Sequence, residues 1–477
     1  MSVVTLSNQY GLYINGQFEK TVDTTAVLNK YSQEVAAHIS IAKKEHVETA
    51  VKGAKAALKQ PFPPYERYKV LMKASQLLLE RKEQLANILA IEVGKPIRES
   101  RGEVERAAQT LQISAEEAKR IQGEGVPVEA APGSENRIAF TVRVPVGVIA
   151  AITPFNVPIN LVCHKIGPAI AAGNSVVLKP AEVTSICALL LAEIMEEAGL
   201  PSGRLQVLTG SGAKIGDWLL ENKDINMFTF TGSPRVGEIL RTKAGLRKVA
   251  LELGNNSATI VHKDADLEQT ASLIVQKGFS NAGQVCISVQ RVYVHQDVYE
   301  RFLALLKDQT SSFVLGDPMD EKTDIGPMIS LLEAERVEAW VNEAVEQGAV
   351  IEVGGKRNGA LYDPTILTNV NDDMKVCRQE VFGPVVSVAT YREVDEVIAK
   401  VNDSEYGLQA GLFTNDLQFV MKAALEIEVG GLIVNDASAY RVDHMPYGGV
   451  KNSGNGKEGP KYAIEEMTEE RIIVFNL

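Results

Sequence analysis

The chain has 477 residues, which is too long for one simple core, so two large units or one domain with insertions are expected. Its 45% apolar and 23% charged residues are typical of a soluble globular protein. A net charge of −12 argues against nucleic acid and anionic membrane as partners, because both need a basic face. The N-terminus has no basic stretch followed by an apolar run, and no apolar run approaches a membrane span, which predicts a cytoplasmic protein without a membrane partner.

The first part of the chain predicts helices, and the next segment predicts strands. Residues 45–122 carry helix formers with apolar residues at three- and four-residue spacing. Residues 137–143 alternate between apolar and polar side chains, which is typical of strands with one face in solvent.

From residue 144 onward, short apolar runs alternate with helix-like segments. The alternation predicts a helix at 184–198 and strands at 146–152, 174–179, 205–208 and 227–230. A second alternation between 257 and 435 includes strand candidates at 291–295 and 432–434. The pattern predicts two doubly wound α/β units in tandem. The apolar residues 471–475 should form a paired strand, with another subunit as one candidate partner.

Two Gly-rich segments are candidates for phosphate binding. Residues 228–237 place a turn between a strand and a helix candidate, where backbone N–H groups would favour a pyrophosphate. An ordinary strand-to-helix turn fits equally well, because Gly232 and Gly237 do not have the usual GxGxxG spacing. The segment Gly210–Gly216 is interpreted as a plain loop.

Cys286 is the nucleophile candidate, since it follows a Gly-containing loop rather than lying in an apolar run. The alternative is a buried structural thiol, which describes Cys187 well. Glu252 interrupts an apolar run, where burial would raise its pKa and suit it as a base, although an ion-paired or surface glutamate is also consistent. No metal site is predicted, because the four cysteines form no CxxC and the six histidines no HxH or HxxxH pair.

Six motifs, in order and approximate spacing, resemble the aldehyde dehydrogenase superfamily over nearly the whole chain. They are Thr153-Pro-Phe-Asn-Val-Pro158, Leu178-Lys-Pro-Ala-Glu182, Phe230-Thr-Gly-Ser233, Leu251-Glu-Leu-Gly254, Gly283-Gln-Val-Cys286 and Glu380-Val-Phe-Gly-Pro384. The resemblance implies that the Cys286 thiolate attacks an aldehyde and that Asn156 and the backbone N–H of Cys286 bind the developing oxyanion. It further implies a thioester, which Glu252 hydrolyses by activating water.

The resemblance also implies a dinucleotide cofactor, with NAD expected and NADP as an alternative. Lys179 and Glu182 match residues that bind the adenosine ribose, and Ser233 matches a pyrophosphate contact. Glu380 and Phe382 match residues that hold the nicotinamide ribose and ring. The remaining cofactor-binding candidates in these motifs are Thr153, Phe155, Gly232 and Leu253.

The architecture implied by the resemblance has three parts. An NAD(P)-binding domain comprises 1–122 and 143–253, and a catalytic domain comprises 254–460. A small β oligomerisation extension comprises 123–142 and 461–477, as in a homodimer or homotetramer.

The substrate is expected to be a small polar aldehyde with an anionic group, because basic residues occur in segments that the resemblance places around the tunnel. They are Arg106, His164, Arg441 and His444. The pattern resembles the branch that acts on lactaldehyde, sulfolactaldehyde, phosphonoacetaldehyde, succinate semialdehyde or glyceraldehyde 3-phosphate. A sulfonated or hydroxylated aldehyde ranks first, since glyceraldehyde-3-phosphate enzymes often carry Arg where Val285 stands. The alternative is that Arg106 and Arg441 are ion-paired with neighbours such as Glu103 or Asp443.

Three other functions compete with this prediction. A CoA-acylating dehydrogenase needs no water-activating base, so Glu252 argues against it. A cysteine esterase or hydrolase without redox chemistry would not need the cofactor motifs. A non-catalytic protein of the same fold would not need Cys286, Asn156 and Glu252 together.

Overall fold

The computed structural model describes residues 6–477, and its helices follow the predicted pattern. In chain order, the α-helices of the described residues are α1 (Lys44–Ala57), α2 (Pro64–Glu80), α3 (Lys82–Val93), α4 (Ile97–Ala118), α5 (Asn160–Ala171), α6 (Ile186–Glu197), α7 (Gly212–Glu221), α8 (Pro234–Ala244), α9 (Leu267–Phe279), α10 (Tyr299–Ser311), α11 (Leu331–Glu346), α12 (Lys375–Arg378), α13 (Val394–Asn402), α14 (Leu417–Glu426) and α15 (Pro460–Glu466). The helices predicted at 45–122 and 184–198 are confirmed as α1–α4 and α6.

The strands begin before the first helix and continue to the C-terminus. Within residues 6–477 they are β1 (Gln9–Tyr10), β2 (Leu12–Ile14), β3 (Gln17–Glu19), β4 (Thr24–Leu28), β5 (Val35–Ser40), β6 (Gly125–Val126), β7 (Arg137–Pro145), β8 (Val148–Ile152), β9 (Ser175–Lys179), β10 (Leu205–Val207), β11 (Met227–Thr231), β12 (Lys248–Glu252), β13 (Ala258–Val261), β14 (Arg291–His295), β15 (Val350–Val353), β16 (Arg357–Asn358), β17 (Leu361–Tyr362), β18 (Thr365–Thr368), β19 (Val385–Tyr391), β20 (Tyr406–Gly407), β21 (Gln409–Phe413), β22 (Gly431–Val434), β23 (Val450–Lys451) and β24 (Thr468–Asn476).

The first large sheet has the strand order β12-β11-β8-β9-β10-β2-β3. The strands β8 to β12 run parallel, and β2 and β3 extend the sheet as an antiparallel edge. The chain order reverses between β8 and β11, which is where open α/β sheets bind ligands beyond the carboxyl ends of their strands. Thr153, Lys179 and Glu252 lie at or directly after such strand ends.

The second large sheet has the order β15-β18-β19-β14-β13-β21-β22, with β15 antiparallel at one edge and the other pairs parallel. Its strands are apolar because helices cover both faces, and Val261, Val292 and Leu412 are fully buried. The two predicted α/β units are therefore confirmed.

A third, antiparallel sheet has the order β24-β7-β6 and pairs the C-terminal strand with β7 of the same chain over nine residues. The pairing predicted for 471–475 is thus present within the chain. One set of its side chains is apolar and about half exposed, namely Ile138, Phe140, Ile472, Val474 and Phe475. β7 continues to Pro145, past the predicted limit of the extension at 142.

One local prediction is wrong. The segment Gly210–Gly216 is not a plain loop, because α7 begins at Gly212 directly after Ser211. A Cβ at Gly212 would lie 3.5 Å from the Lys179 ammonium, so the glycine brings this helix start close to the end of β9. No helix among the described residues has the length and apolar character needed to cross a membrane.

Candidate active site

The nucleophile candidate follows a backbone turn of unusual conformation after α9. Asn281, Ala282 and Gly283 all have left-handed φ angles, 49°, 53° and 69°. Only glycine fits at the third position, since a Cβ there would lie 2.1 Å from the Gly383 carbonyl oxygen. A non-glycine residue in this region costs of the order of 1–2 kcal/mol, so surrounding contacts must hold the turn.

Two neighbouring segments supply those contacts. The Glu99 carboxylate on α4 accepts hydrogen bonds from the Ser280 hydroxyl and the Asn281 backbone N–H, both at 3.0 Å. The Asn281 side chain donates to the Asn156 carbonyl oxygen at 3.2 Å. The turn is therefore joined to the first domain before the chain reaches Cys286.

Cys286 differs from the other cysteines in its accessibility. It is partly exposed, whereas Cys163, Cys187 and Cys377 are buried. Its Sγ lies 3.0 Å from the Tyr447 hydroxyl. Burial raises the pKa of the Cys286 thiol to about 11, although the Tyr447 hydrogen bond and the Arg441 charge oppose this rise.

Asn156 lies next to the nucleophile loop. Its Nδ2 donates to the Gln284 carbonyl oxygen at 2.8 Å, two residues before Cys286. An amide nitrogen has two N–H groups, so one remains for a further acceptor. The Asn156 Oδ1 is buried and has no partner among the described residues.

Glu252 ends β12 and is 4% exposed. Neither carboxylate oxygen has a hydrogen-bond partner in the described part of the chain. Burial, followed by the charge of Glu458, raises its pKa well above the usual range for a glutamate. A Cβ at Gly448 or Gly456 would lie 3.1 or 2.9 Å from its Oε1, so these glycines leave room beside the carboxylate.

Asp443 connects several of the predicted substrate residues. Its carboxylate accepts from Arg106 Nε and Nη2 at 3.0 and 2.8 Å, and from Asn160 Nδ2 at 3.0 Å. His164 Nε2 lies 2.9 Å from the same carboxylate. Burial alone would raise the pKa of Asp443, but the bonds to His164 and Arg106 hold it far below its usual range. The ion pair that the alternative interpretation predicted for Arg106 is thus present.

Arg441 lies between this cluster and the nucleophile. Its Nη2 donates to Glu458 at 2.8 Å and lies 3.1 Å from His164 Nε2. Its guanidinium stacks on the Tyr447 ring, 3.8 Å from the centroid. His444 is exposed and lies outside the lining of the neighbouring cleft, so its predicted contact with substrate has no structural support.

A cleft of about 510 Å³ opens beside these groups. Arg106 and Arg441 line it, as does Val285, directly before Cys286. Its wall also carries a buried ion pair between Lys95 and Glu103. Glu103 in addition accepts backbone hydrogen bonds from the start of α5.

The cofactor candidates at the adenosine end lie at strand ends of the first sheet. Lys179 is 4% exposed, and its ammonium forms no hydrogen bond or ion pair with another described residue. Burial lowers its pKa to about 8, with Glu182 acting in the opposite direction. Ser233 precedes α8, and no side chain caps the first N–H groups of that helix. An unpaired cation and an uncapped helix start fit the phosphates and ribose of a dinucleotide.

Close backbone approaches shape the same region. A Cβ at Gly237 would lie 2.6 Å from the Leu253 side chain, and one at Gly232 would lie 2.4 Å from the Phe230 ring. The Thr153 hydroxyl is buried and has no partner among the described residues. The two glycines therefore leave space between β8 and α8, and Thr153 supplies an unpaired hydroxyl there.

The candidates at the nicotinamide end lie beside Cys286. The Glu380 carboxylate accepts from the Asn255 backbone N–H at 2.9 Å, and burial raises its pKa to about 7. Phe382 has a left-handed φ of 47° and meets the Phe155 ring edge-on at 5.8 Å. Glu380, Phe382 and Cys286 line one small cavity.

Several site residues were not predicted from the sequence. Tyr447 lies in Pro446-Tyr-Gly-Gly449, which gave no signal of contact with the thiol. Lys165 and Glu458 form a buried pair at 3.4 Å. For Asp443, the sequence predicts only an ion pair with an arginine, not its contacts with Asn160 and His164. Their roles depend on contacts across the fold, which local patterns do not record.

Two α/β domains, a partly exposed cysteine whose loop accepts a hydrogen bond from Asn156, and a buried carboxylate without a partner among the described residues define the protein class. The chain belongs to the aldehyde dehydrogenase family, whose model matches residues 18–473, and is an NAD(P)-dependent oxidoreductase. It is 78% identical, over the full length of both chains, to 3-sulfolactaldehyde dehydrogenase of Priestia aryabhattai.

Solved structures of the same family superpose closely. Aldehyde dehydrogenase 21 of Physcomitrella patens, in complex with its reaction product succinate, is 37% identical with a TM-score of 0.96, and 99% of each chain is covered. A glyceraldehyde-3-phosphate dehydrogenase of Methanocaldococcus jannaschii, complexed with NADP, is 41% identical with a TM-score of 0.92. That likeness covers 96% of this chain and 100% of the other.

Proposed function

We propose that this enzyme oxidises 3-sulfolactaldehyde to 3-sulfolactate through a thioester on Cys286. The observation that carries the proposal is the 78% identity, without gaps in coverage, to a 3-sulfolactaldehyde dehydrogenase. The substrate joins an aldehyde, a hydroxyl and a sulfonate on three carbons, which agrees with a small polar anionic aldehyde.

The charges beside the cleft support an anionic substrate. Arg106, Arg441 and Lys165 are cationic, whereas Asp443 and Glu458 are the carboxylates bound to them. An arginine suits a sulfonate because its planar fork can donate to two oxygens.

Arg106 and Arg441 retain donors for such a group. Arg106 uses Nε and one terminal nitrogen for Asp443, and Arg441 uses one terminal nitrogen for Glu458 and His164. The other terminal nitrogen of each has no partner among the described residues. Val285 adds an apolar wall rather than a cation, which favours a sulfonate over the phosphate of glyceraldehyde 3-phosphate.

The chemistry begins at Cys286. Its thiolate forms the C–S bond to the aldehyde carbon, and the carbonyl electron pair moves to oxygen. The free N–H of Asn156 and the backbone N–H of Cys286 stabilise this oxyanion. A nicotinamide held beside Glu380 and Phe382 would supply the acceptor for the hydride from the same carbon, which would leave a thioester on Cys286.

Glu252 completes the reaction. Its unpartnered carboxylate takes a proton from water, which attacks the thioester carbon and releases the Cys286 sulfur. A non-acylating enzyme requires such a base. A CoA-dependent acyl transfer would not need a buried carboxylate in this place.

Residues at the adenosine end favour NAD over NADP. A carboxylate at Glu182 accepts hydrogen bonds from both ribose hydroxyls and repels a 2′-phosphate. Lys179 offsets part of this repulsion, so NADP is the alternative cofactor.

The apolar side chains of the β24-β7-β6 sheet fit an oligomer interface, in a cytoplasmic homodimer or homotetramer.

A matched substrate pair tests the proposal. On C3, glyceraldehyde carries a hydroxyl where 3-sulfolactaldehyde carries its sulfonate. Lactaldehyde carries neither group on that carbon. The wild-type enzyme should show its highest kcat/KM with 3-sulfolactaldehyde. In Arg106→Ala, that value should fall about 10- to 100-fold, with little change for glyceraldehyde. Equal losses for both aldehydes, or a wild-type preference for long alkyl aldehydes, would defeat the assignment.

A further inference from the structure

Tyr447 provides the closest polar contact of the nucleophile. Its hydroxyl lies 3.0 Å from Cys286 Sγ, within the range for a hydrogen bond to sulfur. The ring is 3% exposed and packs with Ile287 and Leu408, so the hydroxyl is held in place by a rigid apolar surround.

Arg441 fixes the other side of the phenol. Its guanidinium lies 3.8 Å from the centroid of the Tyr447 ring and is itself held by Glu458. A cation over an aromatic face is attracted by the ring electrons and restricts the ring position. Its positive charge also favours a negative charge on the nearby sulfur.

We propose that Tyr447 is a catalytic residue that donates its hydroxyl hydrogen bond to the Cys286 thiolate, with Arg441 holding the phenol in position. This inference rests on the proposed role of Cys286 as nucleophile. The S–H bond breaks, its proton leaves to solvent, and the electron pair stays on sulfur. Tyr447 keeps its own O–H bond throughout. The sulfur pair then forms the C–S bond to the aldehyde carbon.

The protonation states agree with this assignment. Burial raises the pKa of Tyr447 well above its usual value, so the hydroxyl stays protonated and can only donate to an anionic sulfur. Burial also raises the pKa of Cys286 to about 11, against which the Tyr447 hydrogen bond acts. Without the hydroxyl, the thiolate would be rarer still.

Alkylation by iodoacetamide measures the thiolate directly. The other three cysteines are buried, so labelling of the Cys286 peptide can be followed by mass spectrometry from about pH 6 to about pH 10. Tyr447→Phe keeps the ring and removes only the hydroxyl. At about pH 8 its Cys286 should be alkylated about tenfold more slowly, and its rate profile should move to higher pH.

Tyr440→Phe is the matched control, because Tyr440 lies on the same loop but is 42% exposed. That variant should keep the wild-type profile. An unchanged profile in Tyr447→Phe, or an equal loss in Tyr440→Phe, would overturn the inference. If Cys286→Ala is inactive while Tyr447→Phe alkylates normally, only this inference fails. Turnover in Cys286→Ala would instead defeat the proposed function.

Discussion

Two groups of buried polar side chains in this site differ in how completely they are hydrogen-bonded. The Asp443 carboxylate accepts from Arg106 and Asn160 and contacts His164. The Glu252 carboxylate and the Asn156 Oδ1 have no partner among the described residues. A buried polar group without a hydrogen-bond partner lowers the stability of the fold by about 1–3 kcal/mol. Its presence therefore indicates a requirement other than stability. The saturated Asp443 carboxylate fixes geometry, and the unsatisfied Glu252 carboxylate remains available to water.

The same comparison holds for charge. The pKa of Asp443 lies far below its usual range despite burial, because of its bonds to His164 and Arg106, so this carboxylate is ionised at neutral pH. The pKa of Glu252 is raised, mainly by burial. One carboxylate is therefore a permanent anion within an ion pair, and the other takes up a proton more readily than an exposed glutamate does.

The largest expected effect is at the nucleophile. Cys286→Ala should lower kcat at least about 10⁴-fold, because no other group replaces the sulfur that forms the covalent bond. Cofactor binding, measured by fluorescence titration with NADH, should change little. Turnover near the wild-type rate would contradict the mechanism, and a simultaneous loss of cofactor binding would indicate misfolding.

Glu252 tests the unsatisfied side of the comparison. A base acts only when deprotonated, so its raised pKa predicts that the steady-state rate is low in acid and rises with pH. Glu252→Gln should lower kcat about 10²- to 10⁴-fold and remove this rise, while a burst of NADH remains. Loss of the burst itself would assign Glu252 to thiol activation instead.

Asp443 tests the saturated side. Asp443→Ala leaves the partly exposed Arg106, Asn160 and the buried His164 without their acceptor, which should destabilise the protein by about 1–3 kcal/mol in urea unfolding. The control is Asp217→Ala, because the Lys243–Asp217 pair is about half exposed and should contribute little. Similar stability of the two variants would remove the distinction drawn between the groups.

The smallest expected effect concerns cofactor choice. Glu182→Gln keeps hydrogen-bonding capacity and removes the negative charge near the predicted ribose position. The ratio of kcat/KM for NADP over NAD should rise about tenfold, as one repulsive charge is removed in a partly exposed place. A wild-type enzyme that already prefers NADP would contradict the assignment of Glu182.

Much of the fold was predictable because its signals are local. Buried parallel strands read as apolar runs, and α2 to α4 show helical spacing, so both α/β units were found. The helix α7 was missed because Gly212 at its start looked like loop glycine. The candidate site was predicted through family motifs, because its residues are distant in sequence and leave no local pattern. Asn156 and Gln284, for example, lie far apart in the chain, yet Asn156 Nδ2 and the Gln284 carbonyl oxygen are 2.8 Å apart.

The polar network could not be predicted, because it depends on contacts between distant segments. Arg106 and Asp443 are 337 residues apart in the chain. The sequence offered Glu103 and Asp443 as ion-pair partners of Arg106 and Arg441, but it did not show that Arg106 would bind Asp443 and Arg441 would bind Glu458. Tyr447 likewise acquires its contact with Cys286 only when the loop after β22 folds over the nucleophile.

The central claim is that the acyl group is carried by Cys286, and Glu252→Gln allows this to be observed. The variant is mixed with NAD and 3-sulfolactaldehyde, quenched in acid within the NADH burst, digested and analysed by mass spectrometry. The account predicts a sulfolactyl group on the Cys286 peptide in an amount equal to the NADH formed, and none in a Cys286→Ala, Glu252→Gln double variant. NADH formed without any adduct on Cys286, or an adduct on another residue, would contradict it.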